Sequence, residues 1–203
     1  MQTTRQHKDA TTDAGAYAAG LAGQQAYAEQ QAFDAGARTY DASHNVIANN
    51  DSGGAGYFAE AHHTASLNID ANYQGLGTSA ERLGSTVFGS PDIIVDGVQF
   101  NPKFYQSAHE SYNAGAQLVG EGDTITAKYA GQTIIVPSDQ LAQAQQLHSQ
   151  AIEQAYAESD LPRAHALESI QYADHIDHGG AQSLPLSYAE AQEGAGGIRD
   201  GVL

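Results

Sequence analysis

The sequence predicts an α+β protein, in which a small mixed sheet with a central β-hairpin is flanked by helices. Apolar side chains recur at helical spacing over residues 57–73. Two strand-like apolar runs, at 92–95 and 98–105, are joined by Asp96-Gly97. That dipeptide favours a type I′ turn, because both of its positions tolerate a positive φ. A helix followed by a tight hairpin is therefore the centre of the predicted fold.

The neighbouring segments extend this centre in both directions. Residues 13–40 are rich in Ala, Gln and Glu and predict a helix, which a loop at 49–54 separates from the next one. Residues 85–88 favour a first strand, whereas the Gly- and Ser-rich stretch before them predicts irregular chain. A polar helix at 107–118 and a further strand at 132–136 complete a helix-β-β-β-helix-β order.

The C-terminal third predicts helices and a loose tail. Ser138 is expected to cap a helix over 139–156, and Asp160 to cap another with proline in its first turn. Ser187 and Glu190 have the spacing of a capping box that opens a short last helix before the Gly-rich tail at 194–203.

The predicted domain organisation has three parts. Residues 1–54 form an N-terminal helical extension and loop, 55–137 form an α/β core, and 138–203 form C-terminal helices and a loose tail.

Composition narrows the classes of function. The chain has 203 residues, 24 acidic against 8 basic residues and a formal net charge of −16. It has no cysteine, which excludes disulfides, thiolate zinc sites and a cysteine nucleophile. We expect a cytoplasmic protein, because residues 1–12 lack the apolar region of a signal peptide and no apolar run approaches the length of a membrane span. The negative charge disfavours nucleic acid as a partner unless metal ions or a basic protein assist.

The hairpin predicts a cluster of polar side chains. A two-residue turn pairs Asp92 with Asn101, and strand alternation places Lys103 on the same face. The opposite, core-facing side is expected to carry Ile93, Val95, Val98, Phe100 and Phe104. A carboxylate binds Mg²⁺ through oxygen, and a lysine orients water or stabilises developing charge, so this grouping suits phosphodiester hydrolysis. Glu60, on the preceding helix, is the best candidate for a second carboxylate.

These residues carry a family resemblance. Pro91-Asp92, followed across the hairpin by Asn101-Pro102-Lys103, resembles the PD-(D/E)XK nucleases, as does the element order over 57–137. The resemblance implies Glu60 and Asp92 as ligands of Mg²⁺ or Mn²⁺ and Lys103 as the catalytic lysine. Asn101 departs from the pattern, which has an acid there, and removes a metal-ligating charge.

A second resemblance covers a wider stretch of the chain. Segments at 59–68, 103–107, 129–132 and 135–140 are similar to uncharacterised bacterial and mobile-element proteins. This similarity indicates a group of proteins and no activity.

Other interpretations stay open. Asp92 and Lys103 also suit a surface ion pair, and Glu60 a solvated helix position. His63 is a further candidate for a metal ligand or general base, against a packed imidazole. His175 and His178 would share a face at a helix end and bind a metal there, although a helix C-terminus also favours histidine.

Two further classes of function compete with hydrolysis. One is a non-catalytic interaction or self-assembly module that keeps the fold, as a homo-oligomer or with a protein partner. The other is an acidic protein that mimics nucleic acid and binds a basic partner.

Overall fold

The computed structural model describes residues 54–83 and 87–199. The predicted helix at 13–40, the loop at 49–53 and the rest of the N-terminal extension lie outside these residues. None of the helices in the described part of the chain is long and apolar enough to cross a membrane.

Helices make up much of the described chain. They are α1 Gly54–Gln74, α2 Ala108–Gly115, α3 Leu141–Ala157, α4 Leu161–Glu168 and α5 Tyr188–Arg199. Two of the predicted caps are confirmed. Asp160 accepts a hydrogen bond from the Arg163 backbone N–H at the start of α4. Ser187 and Glu190 form the capping box of α5, with Ser187 N–H donating to the Glu190 carboxylate at 2.8 Å.

The strands form one mixed sheet and two small ribbons. They are β1 Ala80–Arg82, β2 Ile93–Val95, β3 Val98–Pro102, β4 Leu118–Val119, β5 Thr126–Ala127, β6 Gln132–Ile135, β7 Gln171–Ala173, β8 Asp177–His178 and β9 Ala181–Gln182. The main sheet has the order β1-β2-β3-β6-β7, antiparallel from β1 to β3 and parallel from β3 to β7. The predicted α+β class is confirmed, as is the helix-β-β-β-helix-β order with the hairpin inside the sheet.

The hairpin has the predicted turn and register. Asp96 and Gly97 have φ values of 49° and 87°. Both φ values are positive, as a type I′ turn requires. Val95 pairs with Val98, and the ladder ends one pair before Asp92. There the Asp92 N–H donates to the Phe100 carbonyl at 3.1 Å.

Most of the predicted apolar face is buried. Ile93, Val95, Phe100 and Phe104 are each at most 6% exposed. Val98 is 39% exposed, so its predicted burial is wrong. It directly follows the two-residue turn, where the strand begins.

The first strand lies at a different place from the predicted one. Residues 80–82 form β1 inside the stretch predicted as irregular, while residues 87–89 bend and turn instead of forming a strand. The cause is a contact with α1. The Asn68 side chain accepts from the Ala80 N–H at 2.7 Å and donates to the Ala80 carbonyl at 3.0 Å. This tertiary pairing anchors the segment beside the hairpin.

The C-terminal segment is part of the same core. Strand β7 extends the main sheet, and α5 packs against α1 through the buried side chains of Ala195 and Ile198. The prediction of a loose tail is therefore wrong for residues 194–199, because small residues let the two helices approach closely. A Cβ on Gly54 would lie 3.1 Å from the Ala195 Cβ.

Two predictions about the same segment are also wrong. Ser138 does not cap α3, which begins after Gln140 without a side-chain cap. The Gln140 side chain instead donates to the Tyr105 carbonyl at 2.9 Å. His175 lies in the connection between β7 and β8, and His178 lies in β8. Neither is at the predicted helix end.

Apolar side chains pack on both faces of the sheet. Alternation along β6 illustrates this, since Ile135 belongs to the cluster shared with α1 while Ile134 belongs to the cluster shared with α3. The sheet is thus covered by α1 and α5 on one side and by α2, α3 and α4 on the other.

Candidate functional site

Lys103 is the centre of a polar cluster at the end of the hairpin. Its Nζ donates to Asp92 Oδ2 at 3.3 Å and to Asn101 Oδ1. The backbone N–H of Lys103 donates to the Ile135 carbonyl at 2.7 Å, so the chain remains beside β6 after Pro102. The Lys103 and Asp92 side chains are 14% and 22% exposed, which leaves them accessible at a rim of the sheet.

Asn101 is fixed by hydrogen bonds on both sides of its amide. Its Nδ2 donates to the Ser90 carbonyl and to Gln132 Oε1, each at 3.1 Å. Gln132 in turn donates to the Gly89 carbonyl at 2.7 Å. Because the Asn101 nitrogen faces these acceptors, its oxygen faces Lys103. Asn101 is 1% exposed, so this orientation is determined by packing.

Glu60 reaches the cluster from α1. Burial raises the pKa of its carboxyl from 4.5 to about 7, while Arg82 acts in the opposite direction. Asp92 also raises this pKa and Lys103 lowers it, so both groups lie within electrostatic range of Glu60. Glu60 Oε2 accepts from Arg82 Nε at 2.7 Å, and the Glu60 side chain is 12% exposed. The interpretation of Glu60 as a solvated helix residue is therefore wrong.

The structure brings Asp92, Asn101 and Lys103 into direct contact, while Glu60, the fourth residue that the sequence selected, interacts with Asp92 and Lys103 electrostatically. They come from three elements: Glu60 from α1, Asp92 from the residue before β2, and Asn101 and Lys103 from β3 and its end. Asp92 and Lys103 do form the ion pair of the alternative interpretation, and that pair belongs to a larger, partly buried group.

Two supporting residues were missed by sequence reasoning. Arg82 lay in a segment predicted as irregular, so its side chain had no predicted direction. Gln132 did carry a signal, as a polar residue at the start of the apolar strand β6, beside β3 in the parallel pair. Its partners on the 87–90 turn become visible only in the fold.

His63 does not join this cluster. Its Nδ1 lies 3.0 Å from Ser183 Oγ, and its ring meets the Phe104 ring edge-on at 5.8 Å between centroids. The side chain is fully buried, and that burial lowers the pKa of the imidazole to about 3. Its packed position supports the structural interpretation and not the role of metal ligand or base beside Asp92.

The histidines near the β7–β8 connection also have separate partners. His175 Nδ1 lies 2.7 Å from Asp174 Oδ1, and His178 Nε2 lies 3.7 Å from Asp96 Oδ2. Among the described residues, no group of three or more His, Asp or Glu side chains is arranged to hold a metal ion. The two histidines therefore do not form the predicted shared face.

The side-chain oxygens around Lys103 are of the kind that bind Mg²⁺ or Mn²⁺. Glu60 and Asp92 supply two carboxylates and Asn101 supplies a neutral amide oxygen, all of them hard ligands. One oxygen of each carboxylate contacts Arg82 or Lys103. The cluster offers two anionic donors, which suits an ion that keeps several waters.

The chain matches no protein-family model, and no curated protein or solved structure is significantly similar to it. Any inference about function consequently rests on the fold and on this cluster of side chains.

Proposed function

We propose that the protein is a Mg²⁺- or Mn²⁺-dependent phosphodiesterase of the PD-(D/E)XK type that acts on nucleic acid. One observation carries the proposal: the Lys103 ammonium lies between Asp92 and Asn101, with the Glu60 carboxylate in electrostatic range. Two acids and an amide supply oxygen ligands for a metal ion, and the amine supplies a positive hydrogen-bond donor for a phosphate, which together suit metal-assisted phosphodiester hydrolysis.

The topology supports the same proposal. Helix α1, the antiparallel strands β1 to β3, helix α2 and the parallel strand β6 follow the order that the family resemblance implied. The helix that carries Glu60 shares a core cluster with the hairpin, which keeps Glu60 within electrostatic range of Asp92.

The chain's own groups divide the work. Glu60 and Asp92 would hold the ion, which would supply positive charge to the phosphate and lower the pKa of a bound water. Lys103 donates hydrogen bonds to the negative charge that develops on the phosphoryl oxygens as water adds and the P–O ester bond breaks. Asn101 fixes the direction of Lys103, because its own amide is held by Ser90 and Gln132.

A cleavage assay tests the proposal. Labelled DNA and RNA are incubated with the parent protein over a titration of Mg²⁺ and Mn²⁺, beside Lys103→Ala and the control Arg163→Ala. Arg163 pairs with Glu158 at the surface of α4. Its replacement therefore removes one positive charge, as Lys103→Ala does, but away from the candidate site. Cleavage by the parent and the control but not by Lys103→Ala supports the proposal. Absence of metal-dependent cleavage by the parent contradicts it.

A second candidate function is a non-catalytic interaction or self-assembly module. Its supporting observation is that the cluster is electrostatically complete without an ion, since Glu60 pairs with Arg82 and Asp92 pairs with Lys103. Thermal unfolding in rising Mn²⁺ separates the candidates. A metal-binding site raises the melting temperature with concentration by mass action, whereas a closed cluster leaves it unchanged. Light scattering over a concentration series then tests self-assembly, which a monomer at every concentration would exclude.

A further inference from the structure

An exposed aromatic ring lies beside the candidate site. Phe88 is 70% exposed on the turn at 87–90 that leads into Asp92 and β2. A phenylalanine at this exposure contributes little to the core, so most of its ring is accessible to a ligand.

The turn that carries Phe88 is held by the same residues that support the site. Gln132 donates to the Gly89 carbonyl at 2.7 Å, and Asn101 donates to the Ser90 carbonyl at 3.1 Å. Gly89 has a φ of +75°, and a Cβ there would lie 2.9 Å from the Lys128 carbonyl oxygen. The ring is thus presented from a fixed turn that is tied directly to Asn101.

Two lysine ammonium groups lie near the Phe88 ring and the candidate site. Lys128 Nζ lies 4.5 Å from the centroid of the Phe88 ring and 4.9 Å from that of Tyr129. Lys103 Nζ lies 4.9 Å from the centroid of the same Tyr129 ring. Tyr129 therefore separates two ammonium groups, one at the candidate site and one beside the exposed phenylalanine. We call Phe88, Lys128 and Tyr129 the aromatic–lysine platform.

The Lys128 ammonium is available to an anion. Its Nζ donates to the neutral Gln117 Oε1 at 2.9 Å. The ion pairs found among residues 54–83 and 87–198 all involve other side chains.

The placement of charge is uneven for so acidic a chain. Residues 54–83 and 87–198 contain four Lys and Arg side chains: Arg82 and Lys103 pair with acids of the cluster, Lys128 lies beside it, and Arg163 lies on α4. Against a net charge of −16, which repels polyanions, Lys128 supplies a positive group beside the cluster that is paired with no acid among the described residues.

We propose that the platform binds single-stranded nucleic acid and positions the strand at the candidate site. The inference rests on the proposed function and names its substrate class. An exposed aromatic ring accepts an unstacked base, and an adjacent ammonium accepts the backbone phosphate, which together form a sequence-tolerant mode of single-strand binding. A base inside a duplex is already stacked and paired, so it is not free to lie on Phe88.

Binding without metal tests the platform independently of cleavage. Fluorescence anisotropy compares a labelled single-stranded oligonucleotide with its duplex, in EDTA and at low salt, for the parent, Phe88→Ala and Lys128→Gln. The controls are Leu184→Ala, another exposed apolar side chain, and Arg163→Gln, a basic one away from the platform. We expect preference for the single strand, about tenfold weaker binding by Phe88→Ala, and parent-like binding by both controls. Lys128→Gln should lower the slope of log K against log salt by about 0.7, the value for one phosphate contact on a single strand.

The outcomes separate this proposal from the previous one. Equal affinity for single strand and duplex, no binding by the parent, or parent-like binding by Phe88→Ala overturns the platform, even if the protein cleaves DNA with metal. Selective metal-free binding with the expected losses upholds the platform, even if no cleavage is found. Photocrosslinking of a 5-bromouracil oligonucleotide locates the bound strand. Crosslinks to residues 87–90 are expected for the platform, and crosslinks found only at other residues contradict it.

Discussion

Replacing Glu60 by glutamine should stabilise the folded protein at alkaline pH. Burial raises the pKa of this carboxyl to about 7 in the folded protein, against 4.5 for the ordinary group. Below pH 4.5 the carboxyl is protonated in both states, so Glu60 costs the folded protein no stability. Between 4.5 and 7 the unfolded chain ionises first, so stability falls, and above 7 the loss is complete. Glutamine resembles the protonated acid and does not ionise.

The expected gain follows from the size of the shift. A separation from 4.5 to about 7 corresponds to about 3 kcal/mol, at 1.36 kcal/mol for each pKa unit. The attraction of Arg82 is already included in that pKa, because the ion pair lowers it against the effect of burial. We therefore expect Glu60→Gln to gain about 2–3 kcal/mol at pH 8.5 and nothing at pH 4.

Urea unfolding at the two pH values measures the effect. The matched control is Glu158→Gln, which removes an exposed acid that is also paired with an arginine, and should change the free energy of unfolding by less than about 0.5 kcal/mol. If Glu60→Gln is less stable than the parent at pH 8.5, the Glu60–Arg82 ion pair outweighs the cost of burial and the reasoning is refuted.

Four further results are expected. Metal-dependent cleavage should rise as pH increases through about 7, because Glu60 must ionise to bind the ion, and a flat pH–rate profile from 6 to 8 would contradict this role. Asn101→Asp should tighten Mn²⁺ binding in a calorimetric titration but lower the free energy of unfolding by about 1–3 kcal/mol, since it loses a buried amide donor. Gly115→Ala should cost about 1–3 kcal/mol in urea unfolding, because its Cβ would lie 2.8 Å from Ile134 Cγ2, and a neutral result would show that the core yields there. His63 has a pKa of about 3 in the fold, so its contribution to stability should fall as pH drops from 6.5 toward 3, and the difference in unfolding free energy between the parent and His63→Gln should shift in favour of the variant over that range.

The hairpin was predictable because its information is local. Asp96-Gly97 determines the turn, the turn determines the register, and alternation then places Asn101 and Lys103 near Asp92. None of these steps needs a contact from a distant part of the chain. The candidate residues could therefore be named from the sequence, together with the helix that supplies Glu60.

The remaining features depend on tertiary contacts that no local pattern carries. Strand β1 forms where Asn68 holds the Ala80 backbone, so propensity alone placed the strand too late. Arg82 could not be assigned to Glu60 until that strand was known. The glycines of residues 194–199 suggested a loose tail, but Ala195 is fully buried against α1, where small size is an advantage.

The contact between α1 and α5 has a consequence for how the protein is assembled. All four candidate side chains lie between residues 60 and 103, yet the helix that carries Glu60 is held by residues more than 120 positions later. A fragment ending at residue 137 would contain every proposed ligand. It would lack α5, which packs against the helix that carries Glu60. The candidate side chains lie in the middle of the sequence, but the helix that carries Glu60 is partly held by a contact with a helix near the C-terminal end, and such contacts between distant parts of a chain slow folding.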